Sequence, residues 1–258
     1  MRSFEGLTVL LSGATGGFGL QLARRLSDAG ARLVLSDLDA GPLGELAESL
    51  SAEVVTLAGD IADESTSERL VALALERFGS LDIAINNAGI AQSFVRFHLL
   101  PSDEARRIID VNLMGVFYAM KHQLPVMEKQ FRKTGRPGSI VNVSSYAGLK
   151  GAPRLAAYSA AKHGVIGLTR SAAAEYAAKG VRVNAVCPSF SRTPMVMGKL
   201  GVAFRNPDEA EASLARLVPM QRLAEVEEVA EAILFAAHPE NSYMTGQAIA
   251  VDGGVSAI

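Results

Sequence analysis

Leu7-Thr8-Val9-Leu10-Leu11-Ser12-Gly13-Ala14-Thr15-Gly16-Gly17-Phe18-Gly19 passes from an apolar run through a glycine-rich turn into an amphipathic stretch, Phe18 to Ala29. This order predicts strand, tight turn, helix. Glycines at such a turn let the backbone fold sharply and approach a pyrophosphate, whose charge the helix N-terminus then holds. The strict G-x-G-x-x-G spacing is not met, because Thr15 occupies the second glycine position. The reading rests on position: a strand before, a helix after, and the carboxylate Asp37 closing the second apolar run.

Six more short runs follow: Arg32 to Ser36, Glu53 to Ala58, Leu81 to Asn86, Ser139 to Val143, Val181 to Val186 and Ala248 to Val251. Helical patterns such as Glu64 to Phe78 separate them. Strand and helix alternating at this length require parallel pairing with helices on both faces, so the expected architecture is α/β: a doubly wound parallel sheet of about seven strands, Rossmann-like. With 258 residues and 49% hydrophobic content, the chain is expected to form one dinucleotide-binding catalytic domain, 1–258. Pro188 to Pro207 is the one long irregular stretch, predicted to belong to a substrate loop over about 188–218. The basic run Lys129 to Arg136 is read as a solvated helix end before the fifth strand.

A net charge of −2 supplies no basic field, which disfavours nucleic-acid and membrane partners. No run of about 18 apolar residues is present, and the lone Cys187 cannot form an intrachain disulfide. A soluble, cytoplasmic chain is expected. His98, His122, His163 and His238 are scattered, so no metal is predicted. Asn142-Val143-Ser144 matches a glycosylation sequon but falls in a predicted core strand.

Asp37 selects among dinucleotides. A carboxylate there accepts the adenosine ribose hydroxyls and repels a 2′-phosphate, and neither Gly16 nor Leu38 offers a compensating cation. The expected cofactor is NAD. Tyr158 and Lys162 lie four apart and share one helix face. An ammonium about 4 Å from a phenol, at an effective dielectric near 20, favours the phenolate by about 4 kcal/mol, or about 3 pKa units. That predicts a tyrosine brought from about 10 towards neutrality, where a general base works best.

With Asn86-Asn87-Ala88-Gly89 after the fourth strand and Ser144-Ser145 after the fifth, the whole chain resembles the short-chain dehydrogenase/reductase family. The family's TGxxxGxG is matched by Ser12, Gly13, Gly17 and Gly19, its NNAG by Asn86 to Gly89, and its YxxxK by Tyr158 and Lys162. The resemblance implies that Tyr158 exchanges a proton with the substrate oxygen while Ser145 hydrogen-bonds that oxygen. It further implies that Lys162 binds the nicotinamide ribose and lowers the tyrosine pKa, and that Asn112 organises a water leading to bulk. Asp60 and Ile61 resemble the adenine contact, Asn86, Ala88 and Gly89 the cofactor-supporting turn, and Pro188 and Thr193 the nicotinamide contact, with Phe18 beside the glycine loop. Hydride transfer between an alcohol and NAD is the implied chemistry, carried out by a homotetramer with contacts around Asn112, Tyr158 and Val251 to Ile258. Two departures stand out: Ser12 replaces a threonine, and Ser189 replaces a glycine close to the nicotinamide.

Phe94, Phe190, Met195, Val196, Met197, Leu200, Val202 and Phe204 give the region over the expected site an apolar wall. With Ser145, the residues Phe94, Phe190, Met195 and Met197 are taken as the substrate pocket. The expected substrate is a mostly apolar secondary alcohol or its ketone, cyclic or aryl-bearing. Arg96, Arg192, Lys199 and Arg205 leave a charged substrate open. Arg132, Arg136 and Lys179 similarly leave open a carrier-linked 3-oxoacyl reductase. A non-catalytic NAD sensor or scaffold is a third reading, opposed by the intact Ser145, Tyr158 and Lys162.

Overall fold

The computed structural model describes residues 3–203 and 207–258. Seven strands, β1 (Thr8–Ser12), β2 (Arg32–Asp37), β3 (Val54–Ala58), β4 (Ile83–Asn86), β5 (Gly138–Val143), β6 (Val181–Pro188) and β7 (Ala248–Val251), form one sheet in the order β3-β2-β1-β4-β5-β6-β7. Every pairing is parallel. The helices are α1 (Gly17–Asp28), α2 (Ala40–Ser49), α3 (Glu64–Phe78), α4 (Ser102–Ile109), α5 (Gly115–Thr134), α6 (Ala156–Tyr176), α7 (Pro194–Ala203), α8 (Pro207–Ala215) and α9 (Val226–Ala237).

Alternating side-chain direction turns each apolar strand into part of two cores. Val9 and Leu11, Leu33 and Leu35, and Ile83 and Ile85 face Leu22 and Leu26 of α1, Leu43 of α2 and Ile233 of α9. Leu10, Val34 and Ala84 face the other way, onto Leu70 of α3, Val116 and Leu124 of α5 and Val165 of α6. Helices therefore cover both faces, and successive strands must cross over. The strand order reverses direction between β1 and β4, which opens a crevice at their carboxyl ends.

The Pro188 to Pro207 stretch is not wholly irregular, for α7 occupies Pro194–Ala203 within it. Proline suits a first helical position, and the Thr193 hydroxyl accepts the Val196 N–H at 3.4 Å as an N-cap. Apolar residues all round this segment erase the periodicity by which a helix is read. The side chains of Lys199, Leu200, Val202, Phe204 and Arg205 lie outside the described residues. The basic run closes α5 as expected, with Gly135 left-handed at φ 74. Arg136 pairs with Asp82 at 3.0 Å and Lys179 with Glu128 at 3.8 Å. Both cations precede their strands, whereas the crevice lies at the other end of the sheet, about 20 Å away for a six-residue strand.

Candidate active site

The glycine turn is built by close backbone approach. Gly13 has φ +68, and a Cβ there would come within 2.7 Å of the Ala88 Cα, so the turn after β1 lies directly on the turn after β4. Asn87 fastens the two turns by donating its amide to the carbonyls of Ser12 at 3.1 Å and Gly13 at 2.9 Å. The buried Ser12 hydroxyl accepts from the Asn87 and Ala88 N–H groups at 3.2 and 3.3 Å. At the end of β2, one Asp37 oxygen accepts the Thr15 N–H at 2.9 Å and its hydroxyl at 2.6 Å, and the other accepts the Leu38 N–H at 2.7 Å. These contacts fix a carboxylate in place at the crevice wall.

A cleft of ≈ 370 Å³ runs from Asp37 past Gly13, Gly17 and Phe18 to Ser145, Tyr158 and Lys162. Asp60, Ile61, Ala88, Gly89, Asn112, Pro188 and Thr193 line it as well. Three residues expected to contact the cofactor do not line this cleft. Ser12 clamps the β4 turn, and Gly19 lies under the loop, where a Cβ would meet the Gly13 carbonyl at 1.9 Å. Asn86 ends β4 with its side chain turned into the body, exchanging amide bonds with Gln123 at 3.1 and 2.9 Å and donating to Asn142 at 2.8 Å. Asn142 continues the chain by donating to Thr169 at 2.9 Å, so the sequon asparagine is an interior structural group.

Asn112 sits in a wide turn, Asp110–Met114, between α4 and α5. It is fully buried and exchanges two 2.8 Å bonds with the backbone of Ile90. Ser145 follows β5, its hydroxyl receiving the Ala147 N–H at 3.2 Å. Tyr158 and Lys162 fall on one face of α6, as their spacing requires. The Lys162 Nζ lies 5.7 Å from the Tyr158 ring centroid and donates to the Val143 carbonyl at 2.8 Å.

The electrostatics differ from the expected pull of lysine on phenol. Burial raises the Tyr158 pKa above its ordinary value, and hydrogen bonding to Ser145 offsets this only in part. Burial likewise lowers Lys162 to about 8. Desolvation favours the neutral form of both groups, and the ammonium is engaged by a carbonyl rather than by the phenol.

Beside Ser145 and Tyr158 opens a second, mainly apolar cavity of ≈ 90 Å³, lined by Phe94, Phe190, Met195 and Val196. Met197, expected there, packs instead against the cluster of Phe190, Leu214 and Val218 beneath it. Tyr146, Leu155, Leu214 and Gln92 complete the lining without any signal in the local sequence pattern. Tyr146 leans on Phe190 with ring centroids 5.2 Å apart. Ser189 borders both cavities. Arg107, also not foreseen, reaches the Asp37 end of the cleft and is paired with Asp60 at 2.7 Å. Arg192 turns outward to Glu211 and Glu225.

A crevice at the strand-order reversal, with a glycine turn, a fixed carboxylate, a half-buried tyrosine and a buried lysine, defines a dinucleotide-dependent oxidoreductase fold and site. A family model described as Enoyl-(Acyl carrier protein) reductase matches residues 13–256. The chain is 39% identical to the cis-4-hydroxycyclohexanecarboxylate dehydrogenase of Sinomonas cyclohexanicum, over 100% of this chain and 99% of that protein. Its fold matches the crystal structure of levodione reductase with a TM-score of 0.92 at 34% identity, covering 98% of this chain and 99% of the other. It also matches a 3-ketoacyl-(acyl-carrier-protein) reductase from Brucella melitensis complexed with NADH, with a TM-score of 0.90 at 33% identity over 98% and 100% of the two chains. The chain belongs to the short-chain dehydrogenase/reductase family and is an oxidoreductase acting on CH–OH groups.

Proposed function

We propose that this chain interconverts a mostly apolar secondary alcohol, cyclic or aryl-bearing, and its ketone, with NAD as cofactor. The observation that carries the reading is the union of two spaces: the cleft holding Asp37 and Lys162 meets the apolar cavity at Ser145 and Tyr158. The relative named for a hydroxycyclohexanecarboxylate supports the cyclic part of this reading, and the NADH complex of another supports the cofactor.

NAD suits the residues present, because the tight glycine turn lets a pyrophosphate reach backbone and Asp37 offers a held carboxylate for ribose hydroxyls. Arg107, the cation at that end, is already neutralised by Asp60 and adds little attraction for a 2′-phosphate. When bound, NAD supplies the two-electron acceptor for oxidation and the donor for reduction. Tyr158 takes the proton from the substrate hydroxyl in oxidation and returns it in reduction, while Ser145 holds the same oxygen. Lys162 supplies positive charge behind the phenol, and Asn112 fixes the Ile90 backbone beside it. Phe94, Phe190 and Met195 exclude water from the reacting carbon. The domain assignment 1–258, with a substrate loop over 188–218, belongs to the same reading.

The test measures kcat/KM with NAD and NADP for cyclohexanol, 1-phenylethanol, 3-hydroxybutyrate and 3-hydroxybutyryl-CoA, and for Tyr158→Phe. Expected are NAD preference, a cyclic or aryl alcohol preferred, and a variant below about a tenth of full activity that still binds NAD. A tenfold preference for either charged substrate, about 1.4 kcal/mol, overturns the apolar reading. Arg136 and Lys179, at the far end of the sheet, offer no basic rim to this cavity for an acidic carrier.

A homotetramer and a cytoplasmic location complete the proposal. On α5, Val116 is buried within the chain while Phe117 stays exposed, leaving an apolar contact for a second copy. Light scattering is expected to give the mass of four chains; a monomer at micromolar concentration overturns this. Among the described residues, no helix is long and apolar enough to cross a membrane.

A further inference from the structure

The structure assigns to Gln92 the positioning of Tyr158 and the mechanical coupling of that tyrosine to the cofactor-side turn, an inference that rests on Tyr158 being the acid/base. Gln92 lies in the loop after β4, three residues beyond Gly89, and is 1% exposed. Its Oε1 accepts the backbone N–H of Tyr158 itself at 3.0 Å. Its Nε2 donates to the Arg154 carbonyl at 3.0 Å and to Ser93 at 3.3 Å. One amide therefore holds both ends of the segment that leads into α6.

This segment needs holding. Arg154 has φ +67, a left-handed conformation that a non-glycine residue keeps only when its surroundings impose it. The first-turn N–H groups of α6 have no partners within the helix, and Leu155 provides no side-chain cap. A cap is supplied instead from across the cavity, by a residue that lines the substrate space.

The other end of the tie is equally firm. Two residues before Gln92, the Ile90 backbone is locked to Asn112 in both directions, and one residue after it the Ser93 N–H donates to Glu104 at 2.6 Å. Ala88 and Gly89 of the same loop line the cofactor cleft. Hence Tyr158 is located relative to the cleft by two hydrogen bonds from a single side chain, one to its own N–H and one to the Arg154 carbonyl, rather than by its helix alone. A plain helix cap would sit next to the helix in sequence; this one comes from 66 residues away.

The experiment compares Gln92→Met, similar in length but without either polar group, and Gln92→Glu in the full chain. It follows reduction of the fastest of cyclohexanone, acetophenone, acetoacetate and acetoacetyl-CoA. Gln92→Met is expected to lower kcat roughly ten- to hundredfold while KM and the NADH Kd stay within about twofold, because misplacement of a reacting group acts on the chemical step. Gln92→Glu carries its own signature. A buried carboxyl is pushed towards its neutral form, which accepts from Tyr158 N–H and donates to the Arg154 carbonyl as the amide does. Its kcat relative to the unaltered chain is therefore expected to rise as pH falls from about 8 to about 6. This second arm stands by itself if Gln92→Met does not fold, as judged by circular dichroism. A kcat for Gln92→Met within about threefold of full activity, equal losses in kcat and NADH affinity, or a flat Gln92→Glu ratio overturns the assignment. Tyr158→Phe separates the two levels: if it stays active the acid/base reading falls, and if it is inactive while Gln92→Met is unimpaired only the positioning role falls.

Discussion

The glycine turn and the wall of Phe94, Phe190 and Met195 line two adjoining spaces, yet they are made differently. At the turn, backbone meets backbone: an added carbon at Gly19 would stand 1.9 Å from the Gly13 carbonyl and 2.8 Å from Ala14. At the wall, shape comes from side chains, with Phe94 46% and Met195 43% exposed and free to adjust. A rigid backbone surface suits a ligand that never changes, and an adaptable one suits a partner whose outline is less fixed. Lys162 sits at the seam, buried.

The sharpest way to break this contrast is Gly19→Ala. Crowding against backbone that cannot rotate away is expected to cost about 3 kcal/mol, which makes NAD binding by calorimetry roughly a hundredfold weaker. Unchanged affinity would mean that the turn is no more rigid than the wall.

Lys162 is next. Its folded pKa of about 8 lies below its ordinary 10.5, so between these values the unfolded chain binds more protons and stability rises with pH. From pH 8 to pH 10 the denaturant-derived stability of the unaltered chain is expected to rise by about 2 kcal/mol relative to that of Lys162→Met. Cys187, pushed up to about 11 by burial, and Tyr146, pushed up to about 12, take stability away as pH rises through about 9 and about 10, and do so in both proteins. An equal slope in both proteins would place the lysine in contact with water.

The smallest effect belongs to the wall. Met195→Ala is expected to raise KM for 1-phenylethanol about threefold while leaving NAD affinity unchanged, since a half-exposed side chain gives up little apolar contact. A change in NAD affinity comparable to that of Gly19→Ala would erase the distinction between the two regions.

The same contrast explains what could be read from the chain. The seven strands and both cores follow from apolar runs bounded by turn residues, and the Tyr158 to Lys162 spacing places both on one helix face without tertiary information. Asn86 was expected beside the cleft because it belongs to a recognisable run of four, while strand alternation turns its side chain into the body and leaves Asn87 to hold the turn. Gln92 and Arg107 left no local trace, because their partners, Tyr158 and Asp60, are 66 and 47 residues distant. Met197 was legible as apolar but not as packing on the cluster of Phe190, Leu214 and Val218 without lining the cavity.

The interior amides Asn86, Gln123 and Asn142, with Thr169, also act as a register lock. They join β4, β5, α5 and α6. A one-residue slip of β5 against β4 would turn Asn142 to the opposite face, stranding amides in a dry core at about 1–3 kcal/mol each. Apolar strands such as Ile140-Val141 and Ile83-Ala84-Ile85 discriminate poorly between neighbouring alignments. The quartet supplies the missing discrimination, and with it the alignment that sets the carboxyl ends of β4 and β5 side by side.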